Sequence, residues 1–201
     1  MASSTIDPAK AERRRQIVAA AKQVFADAGY HGTSISAIIE RAQIARGTFY
    51  LYFESKAAVF DSILDQAMAD LRARIRRIEV DDASAPAPQV QLREQVIGTL
   101  QYVIKDRALA VLLLSAGHTP DAEAAERLDQ FFSEVRGLIE RALTSGMEIG
   151  LVRRCQPELV AAAMLGMIRG VIELVVAKNE PPAIEELVTE LLMVALRGVL
   201  A

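Results

Sequence analysis

The segment TSISAIIERAQIARGTFYLYFESKAAVF, residues 33–60, decides the fold of this 201-residue chain. The chain has ten aromatic residues, and five of them lie in the last twelve positions of this segment: Phe49, Tyr50, Tyr52, Phe53 and Phe60. On a helical wheel Phe49 and Phe53 point in nearly the same direction. We therefore expect them to anchor a short helix to its neighbours, with Tyr50 and Tyr52 on its flanks.

Three helices of unequal length surround this aromatic cluster. Apolar spacing predicts a helix that begins at Asp7–Pro8 and ends at Gly29 with a positive φ. A short helix, 33–42, follows with Thr33 or Ser34 as its cap, and residues 43–44 leave room only for a turn before the next short helix, 45–52. A long helix followed by two short helices is typical of a helix-turn-helix, whose second short helix lies in the DNA major groove.

The side chains of the second short helix suit that use. Arg46 lies near the first turn, where a guanidinium can bind guanine O6 and N7 together, and Gly47 lets the backbone approach DNA closely. The hydroxyl groups of Tyr50 and Tyr52 can reach phosphate oxygens. Lys56 follows at the start of the next helix, where free backbone N–H groups favour a phosphate. Spacing alone leaves an alternative open, in which the tyrosines only pack within a three-helix core.

The remainder of the chain is also predicted to be helical. A fourth helix runs from Ser55 to Glu79, and the linker DDASAPAP, residues 81–88, follows it. Further helices are expected at residues 89–105, 107–116, 120–148, 157–178 and 182–200. The sequence therefore predicts an all-α protein in which a three-helix head, residues 1–56, is joined by a long fourth helix to a C-terminal helical bundle, residues 57–201.

Charge is divided between these two parts. Residues 1–56 carry a net charge of +3 and residues 57–201 a net charge of −6. A positive head on an acidic body favours a polyanionic partner for the head, although a solvated surface has the same balance.

The residue types present argue against an enzyme. The chain has two histidines and one cysteine, and it shows no metal-ligand spacing, nucleophile elbow or phosphate-binding glycine loop. We therefore expect no catalytic residues, no metal site and no cofactor.

The distribution of apolar residues points to the cytoplasm. The first sixteen residues contain no apolar run like that of a signal peptide. The most apolar window, 159–177, contains Arg169 and Glu173, which argues against a membrane span. The single Cys155 suits a reducing compartment. Cys155 adjoins Arg153 and Arg154, which would suit a redox sensor, although no second cysteine is present to resolve it.

Residues 33–60, together with AAAKQVFADAGYHG at 19–32, closely resemble the helix-turn-helix signature of TetR-family (tetracycline-repressor-type) transcriptional regulators. The resemblance covers roughly residues 10–65, and SGMEIGLVRR at 145–154 resembles the family's last hinge. It implies a set of residues that contact double-stranded operator DNA: Thr33, Ser34, Ser36, Arg46, Gly47, Thr48, Tyr50, Tyr52 and Lys56. Three positions depart from the family pattern, with Gln43 where Gly is common, Ala45 where Ser or Thr is common, and Leu51 where His is common.

The resemblance also implies a homodimer formed through the last two helices, 157–178 and 182–200. Gly166 and Gly170 lie one turn apart and would let a partner helix approach closely. The alternative is that both glycines only ease packing within one subunit.

A ligand cavity inside the bundle is a further implication of the resemblance. Its expected lining residues are Ile63, Met68, Leu71, Tyr102, Leu113, Phe131, Phe132, Met164, Ile168 and Arg169. Most of them could equally be ordinary core residues. Arg169 could hold a ligand's carboxylate or phosphate, or pair with Glu173 four residues later.

Taken together, these features indicate a ligand-responsive transcriptional regulator, which we expect to be a repressor. It would bind palindromic operator DNA as a homodimer and be released by a small apolar or amphipathic effector. The alternative is a helical carrier or sensor of lipophilic ligands whose DNA-binding head is vestigial.

Overall fold

A computed structural model describes residues 8–80, 82, 84–115, 121–178 and 183–199. The described residues form nine α-helices and no strand, which confirms the predicted all-α fold. The helices are α1 Pro8–Gly32, α2 Ile35–Ala42, α3 Arg46–Tyr50, α4 Lys56–Arg74, α5 Pro88–Lys105, α6 Arg107–Leu114, α7 Ala122–Glu148, α8 Pro157–Ala177 and α9 Ile184–Val199.

Most helix ends agree with the sequence to within two residues. Gly29 has φ 70° and ψ 171°, so the regular part of α1 ends there with the predicted positive φ, although one more helical turn follows. The predicted cap at Asp7, the start near Pro120 and the end at residue 200 lie outside the described residues. Within them, Asp121 caps α7 by accepting a hydrogen bond from the Ala124 N–H at 3.1 Å.

The fourth helix is shorter than predicted, because it ends at Arg74 and not at Glu79. Ile75 has an extended conformation, and α5 holds the segment that follows it. The Arg76 N–H donates to Gln95 Oε1 at 3.0 Å, and the Gln91 amide bonds both the N–H and the C=O of Glu79, at 2.9 and 2.8 Å. Glutamine side chains thus take the backbone hydrogen bonds that another turn of helix would have made.

The largest apolar cluster joins the head to the body. It extends from Ile17 on α1, through Phe49 on α3 and Phe60 on α4, to Leu109 on α6 and Phe131 on α7. A smaller cluster joins Leu100 on α5 to α9. The predicted boundary at residue 56 therefore falls at a helix start within a shared core.

The turn before α3 has the two unfavourable features that its sequence suggested. Gln43 ends α2 in the left-handed conformation, with φ 53° and ψ 48°. Ala45 precedes α3 without any side-chain cap, whereas Ser34 and Ser55 cap α2 and α4 by accepting hydrogen bonds at 3.1 Å. An L-residue in the left-handed region costs about 1–2 kcal/mol.

We therefore expect Gln43→Gly to raise the free energy of unfolding by about 1 kcal/mol, because glycine adopts positive φ without steric cost. Thermal unfolding followed by circular dichroism measures this gain. Gln43→Ala is the matched control and should give no gain, since alanine keeps the Cβ. Equal stabilisation by both substitutions would show that backbone strain at residue 43 is absent.

Candidate DNA-binding surface and effector cavity

The helix α3 is anchored by two phenylalanines on its inner side. Phe49 is fully buried and Phe53 is 4% exposed, and their ring centres lie 6.2 Å apart. This confirms the anchoring predicted from the helical wheel. A five-residue helix cannot be stable alone, so this burial fixes the direction in which its other side faces.

The outer side of α3 carries the residues predicted to face the groove. Arg46 and Gly47 are exposed, Tyr50 is 45% exposed, and Thr48 is half-buried. The Arg46 guanidinium carbon lies 5.8 Å from the centre of the Tyr50 ring. A Cβ built on Gly47 would meet no atom of the described residues within 4 Å, so none of them requires glycine there.

The remaining predicted DNA contacts differ in how accessible they are. Ser34 and Ser36 are exposed on α2, although the Ser34 hydroxyl also accepts the capping bond. Tyr52 is half-buried against the main core. Thr33 does not belong with them, because its side chain is buried and its hydroxyl donates to the Gly29 carbonyl at 2.7 Å. Thr33 therefore fixes the break after α1.

Lys56 is more constrained than the sequence suggested. Its ammonium donates to the Tyr30 carbonyl at 2.7 Å and lies 4.2 Å from the centre of the Tyr30 ring. Burial raises the pKa of Tyr30 to about 12, with a smaller contribution from nearby carboxylates, so the phenol beneath Lys56 stays neutral. An ammonium has three donors, which leaves Lys56 able to bind a phosphate as well.

Two polar residues of α1, to which the sequence assigns no role, bind α1 to α4 and to the end of α2. Arg14 donates to the Ser62 hydroxyl at 2.8 Å, and its guanidinium carbon lies 5.0 Å from the centre of the Phe53 ring. Gln16 donates to the Ala42 carbonyl at the end of α2, at 2.7 Å. Neither contact has a local sequence signal, because the partners lie 48 and 26 residues apart.

Ion pairs connect the head and α4 to the body. Lys22 on α1 pairs with Asp106, which also caps α6 by accepting from the Leu109 N–H at 3.0 Å. Two further ion pairs join α4 to α7. Arg127 of α7 binds Asp61 of α4 at 2.6 Å, and Arg72 of α4 binds Glu134 of α7 at 2.5 Å. A movement of α4 relative to α7 would therefore break charged contacts.

An apolar cavity of about 610 Å³ lies beyond the end of α4. Its wall includes the non-helical residues 75–78 and parts of α5, α7, α8 and α9. Of the residues predicted to line a ligand site, Met164 and Ile168 lie in this wall.

The other residues predicted for the ligand site lie away from this cavity. Five of them are buried in the main core: Ile63, Met68, Leu71, Leu113 and Phe131. Tyr102 and Phe132 pack against that core. Met68 and Phe131 also line a separate cleft of about 260 Å³ whose other lining residues include charged side chains of α4 and α7.

Two of these displaced residues make polar or cation–π contacts. The Tyr102 hydroxyl donates to Asp70 at 3.0 Å, and the Arg74 guanidinium lies over the Tyr102 ring. The pKa of Tyr102 is raised, mainly by burial. The Arg169 guanidinium carbon lies 4.6 Å from the centre of the Phe132 ring. Apolar periodicity did not distinguish core residues from residues of the cavity wall, because both kinds are apolar and lie on the same helices.

The last two helices expose apolar side chains. Leu159 and Leu174 on α8, and Met193 and Val194 on α9, are between 42% and 64% exposed. By length and composition α8 could cross a membrane, with a mean hydropathy of 2.1 over its most apolar window. One such helix is weak evidence for a span. Here α8 packs on α6, α7 and α9 and contains Arg169 and Glu173.

Among the residues that the structure describes, none packs closely enough to require the two glycines of α8. A Cβ built on Gly166 or Gly170 would meet no atom within 4 Å. Glycine in a helix interior costs about 0.5–1 kcal/mol relative to alanine. Crowding within one subunit therefore does not account for them.

Comparison with known proteins agrees with this geometry. Residues 17–63 match the family model described as bacterial regulatory proteins, tetR family, and residues 85–173 match the tetracyclin repressor-like C-terminal domain. The fatty acid metabolism regulator protein of Bacillus subtilis is 25% identical over 144 residues, 72% of this chain and 73% of that one. The transcriptional repressor DhaR of Mycobacterium sp. is 24% identical over 172 residues, 84% of this chain and 85% of that one.

A solved structure shares the fold along almost the whole chain. The regulator FadR from Bacillus subtilis, in complex with stearoyl-CoA, superposes with a TM-score of 0.74 at 23% identity and covers 92% of this chain and 98% of that one. With both family models matched in order, the chain belongs to the tetR family of bacterial regulatory proteins.

Proposed function

We propose that this protein is a dimeric repressor that binds operator DNA through α3 and leaves it when a small apolar or amphipathic effector binds the body. The observation that carries the proposal is the orientation of α3. Phe49 is fully buried, while Arg46, Gly47 and Tyr50 face outward. The DNA-binding head and the repressor named among the relatives support the same function.

The outward residues divide between base recognition and phosphate binding. Arg46 is placed to bind guanine O6 and N7, and Gly47 lets the backbone approach the groove. Ser34, Ser36, Thr48, Tyr50, Tyr52 and Lys56 would bind phosphates or flanking atoms. Thr33 is left out of this set because its hydroxyl is buried.

A homodimer is supported by the exposed apolar residues of α8 and α9 and by the two exposed glycines of α8. Two heads are needed because one recognition helix reads few bases and specific sites usually consist of two half-sites about 34–36 Å apart. We propose that Gly166 and Gly170 let the partner's helix approach closely. The protein would act in the cytoplasm, where its DNA is.

The position of the cavity suggests how an effector releases DNA. The segment 75–78 lines the cavity directly after α4 ends, and α4 begins at Lys56 next to α3. An effector that fits better when this segment and α4 are displaced would favour a different separation of the two heads. The structure of FadR with stearoyl-CoA supports an effector of this general kind.

The alternative, a lipophilic-ligand carrier with a vestigial head, would use the same cavity. It differs in its DNA binding, which would be weak, salt-labile and independent of sequence. The mutation described next distinguishes the two functions.

Arg46→Ala should weaken binding to DNA selected from a random pool by about 1–3 kcal/mol, because a bidentate contact to guanine is lost. Gel-shift titration measures this loss, and circular dichroism should show an unchanged fold because Arg46 is exposed. The matched control is Arg93→Ala, which removes an exposed arginine from α5 in the body. Undiminished binding by the Arg46 variant, or recovery of no preferred sequence from the pool, would contradict the proposal.

Gly170→Leu should convert the dimer to monomer, because the new side chain stands where the partner's helix approaches. Light scattering after size exclusion gives the mass, 21.9 kDa for one chain. Gly98→Leu is the control, since Gly98 lies inside α5 and also has no atom within 4 Å of an added Cβ. If the Gly170 variant stays dimeric, the interface lies elsewhere.

A further inference from the structure

We infer that the ligand of the 610 Å³ cavity is an amphiphile with an anionic head group, whose hydrocarbon chain fills the cavity while Arg76, Arg77 and Arg141 bind the head group. The inference rests on the proposed function in taking this cavity as the effector site. It adds the charge of the ligand and the residues that select it.

The interior of the cavity suits a hydrocarbon chain. Most of its lining side chains are aliphatic, and they come from every wall: Ile75, Ile78, Leu138, Leu143, Ile168 and Leu192 are examples. Its uncharged polar side chains are those of Gln95 and Ser145, and the Gln95 carbonyl is already bonded to the Arg76 N–H. A volume of about 610 Å³ lies within the usual range of small-molecule sites, about 300–1,000 Å³.

The charged residues of the lining are mostly arginines. Arg76, Arg77 and Arg141 are all exposed, and Glu148 is the acidic residue that lies with them. This reverses the charge of the surrounding body, which is −6 over residues 57–201. A local excess of positive charge beside an apolar cavity favours a ligand that is negative at one end and apolar at the other.

These three arginines also differ from others nearby in having no carboxylate partner. Arg72, Arg74 and Arg127 form ion pairs with Glu134, Asp70 and Asp61. Within the described part of the chain, Arg76, Arg77 and Arg141 form none. A guanidinium binds carboxylate and phosphate through paired N–H donors, so three arginines without a carboxylate partner at one cavity are suited to either group.

Two of the arginines belong to the segment that follows α4. Arg76 and Arg77 lie in the non-helical residues 75–80, which the side chains of Gln91 and Gln95 hold in place. Arg141 lies on α7, so a head group bound by all three would connect this segment to α7. Binding of the anion would thereby act directly on the end of α4.

Calorimetric titration of the full chain tests the inference with ligands of equal chain length and different charge. Dodecanoate and dodecanoyl-coenzyme A present a carboxylate and phosphates, 1-dodecanol is neutral, and dodecyltrimethylammonium is cationic. We expect at least one of the two anionic ligands to bind about tenfold or more tightly than the neutral and cationic ones. The stronger of the two identifies whether the source is a free acid or an acyl thioester.

The triple variant Arg76→Gln, Arg77→Gln, Arg141→Gln should lose that preference, whereas Arg93→Gln should keep it. All four arginines are exposed, so these variants should fold as the parent does. Equal affinity for dodecanol and the anions, or undiminished anion binding by the triple variant, would overturn the inference. Absence of binding by every ligand would overturn it as well.

Gel shifts on the same preparations without ligand separate this inference from the proposed function. If the protein binds DNA sequence-specifically but gives any of these overturning results, the inference of an anionic ligand is rejected and the proposed repressor function stands. Absence of sequence-specific DNA binding would remove the repressor, whatever the titrations show.

Discussion

The burial of Phe49 is the interaction on which the rest of the structure depends. A helix of five residues such as α3 has no stability of its own. The preceding helix, α2, ends at Gln43, which adopts the left-handed conformation although it is not a glycine. Full burial of one phenylalanine contributes about 1.5–3 kcal/mol, which is enough to offset the strain of about 1–2 kcal/mol at Gln43 or the missing cap at Ala45. Phe49 and Phe53 thereby fix which side of α3 faces outward. The concentration of aromatic residues at 49–60 reflects this need.

The same apolar core connects the head to the body through α4. Phe60 on α4 packs edge-on against Phe25 and Tyr30 of α1, with ring centres 5.3 and 4.9 Å apart. A packed interior of this kind does not deform smoothly, so a displaced α4 carries the head with it. Charged contacts also hold α4 to α7. In the proposed dimer, this coupling would keep the two heads at a fixed separation until an effector binds.

The sequence predicted the head well and the cavity poorly, for physical reasons. Apolar periodicity, caps and the turn are local properties, so they placed α2, α3 and the anchoring phenylalanines correctly. Among the residues assigned to DNA, only Thr33 proved to be buried. The end of α4 depends on hydrogen bonds from Gln91 and Gln95, which approach from another helix and leave no local signal. Cavity walls differ from core only in how the helices are spaced. Of the residues predicted to line a ligand site, Met164 and Ile168 are therefore the two that lie in the cavity wall.

Hydrogen exchange of the protein with and without its selected DNA tests the central claim most directly, namely that the buried phenylalanines present α3 to the duplex. The account predicts slower exchange on DNA binding in peptides that cover residues 33–60, which contain α2, α3 and the start of α4. Peptides from α7 and α8, far along the chain in the body, should change little. Tight DNA binding that leaves exchange in residues 33–60 unchanged, and slows it in the body, would contradict the account.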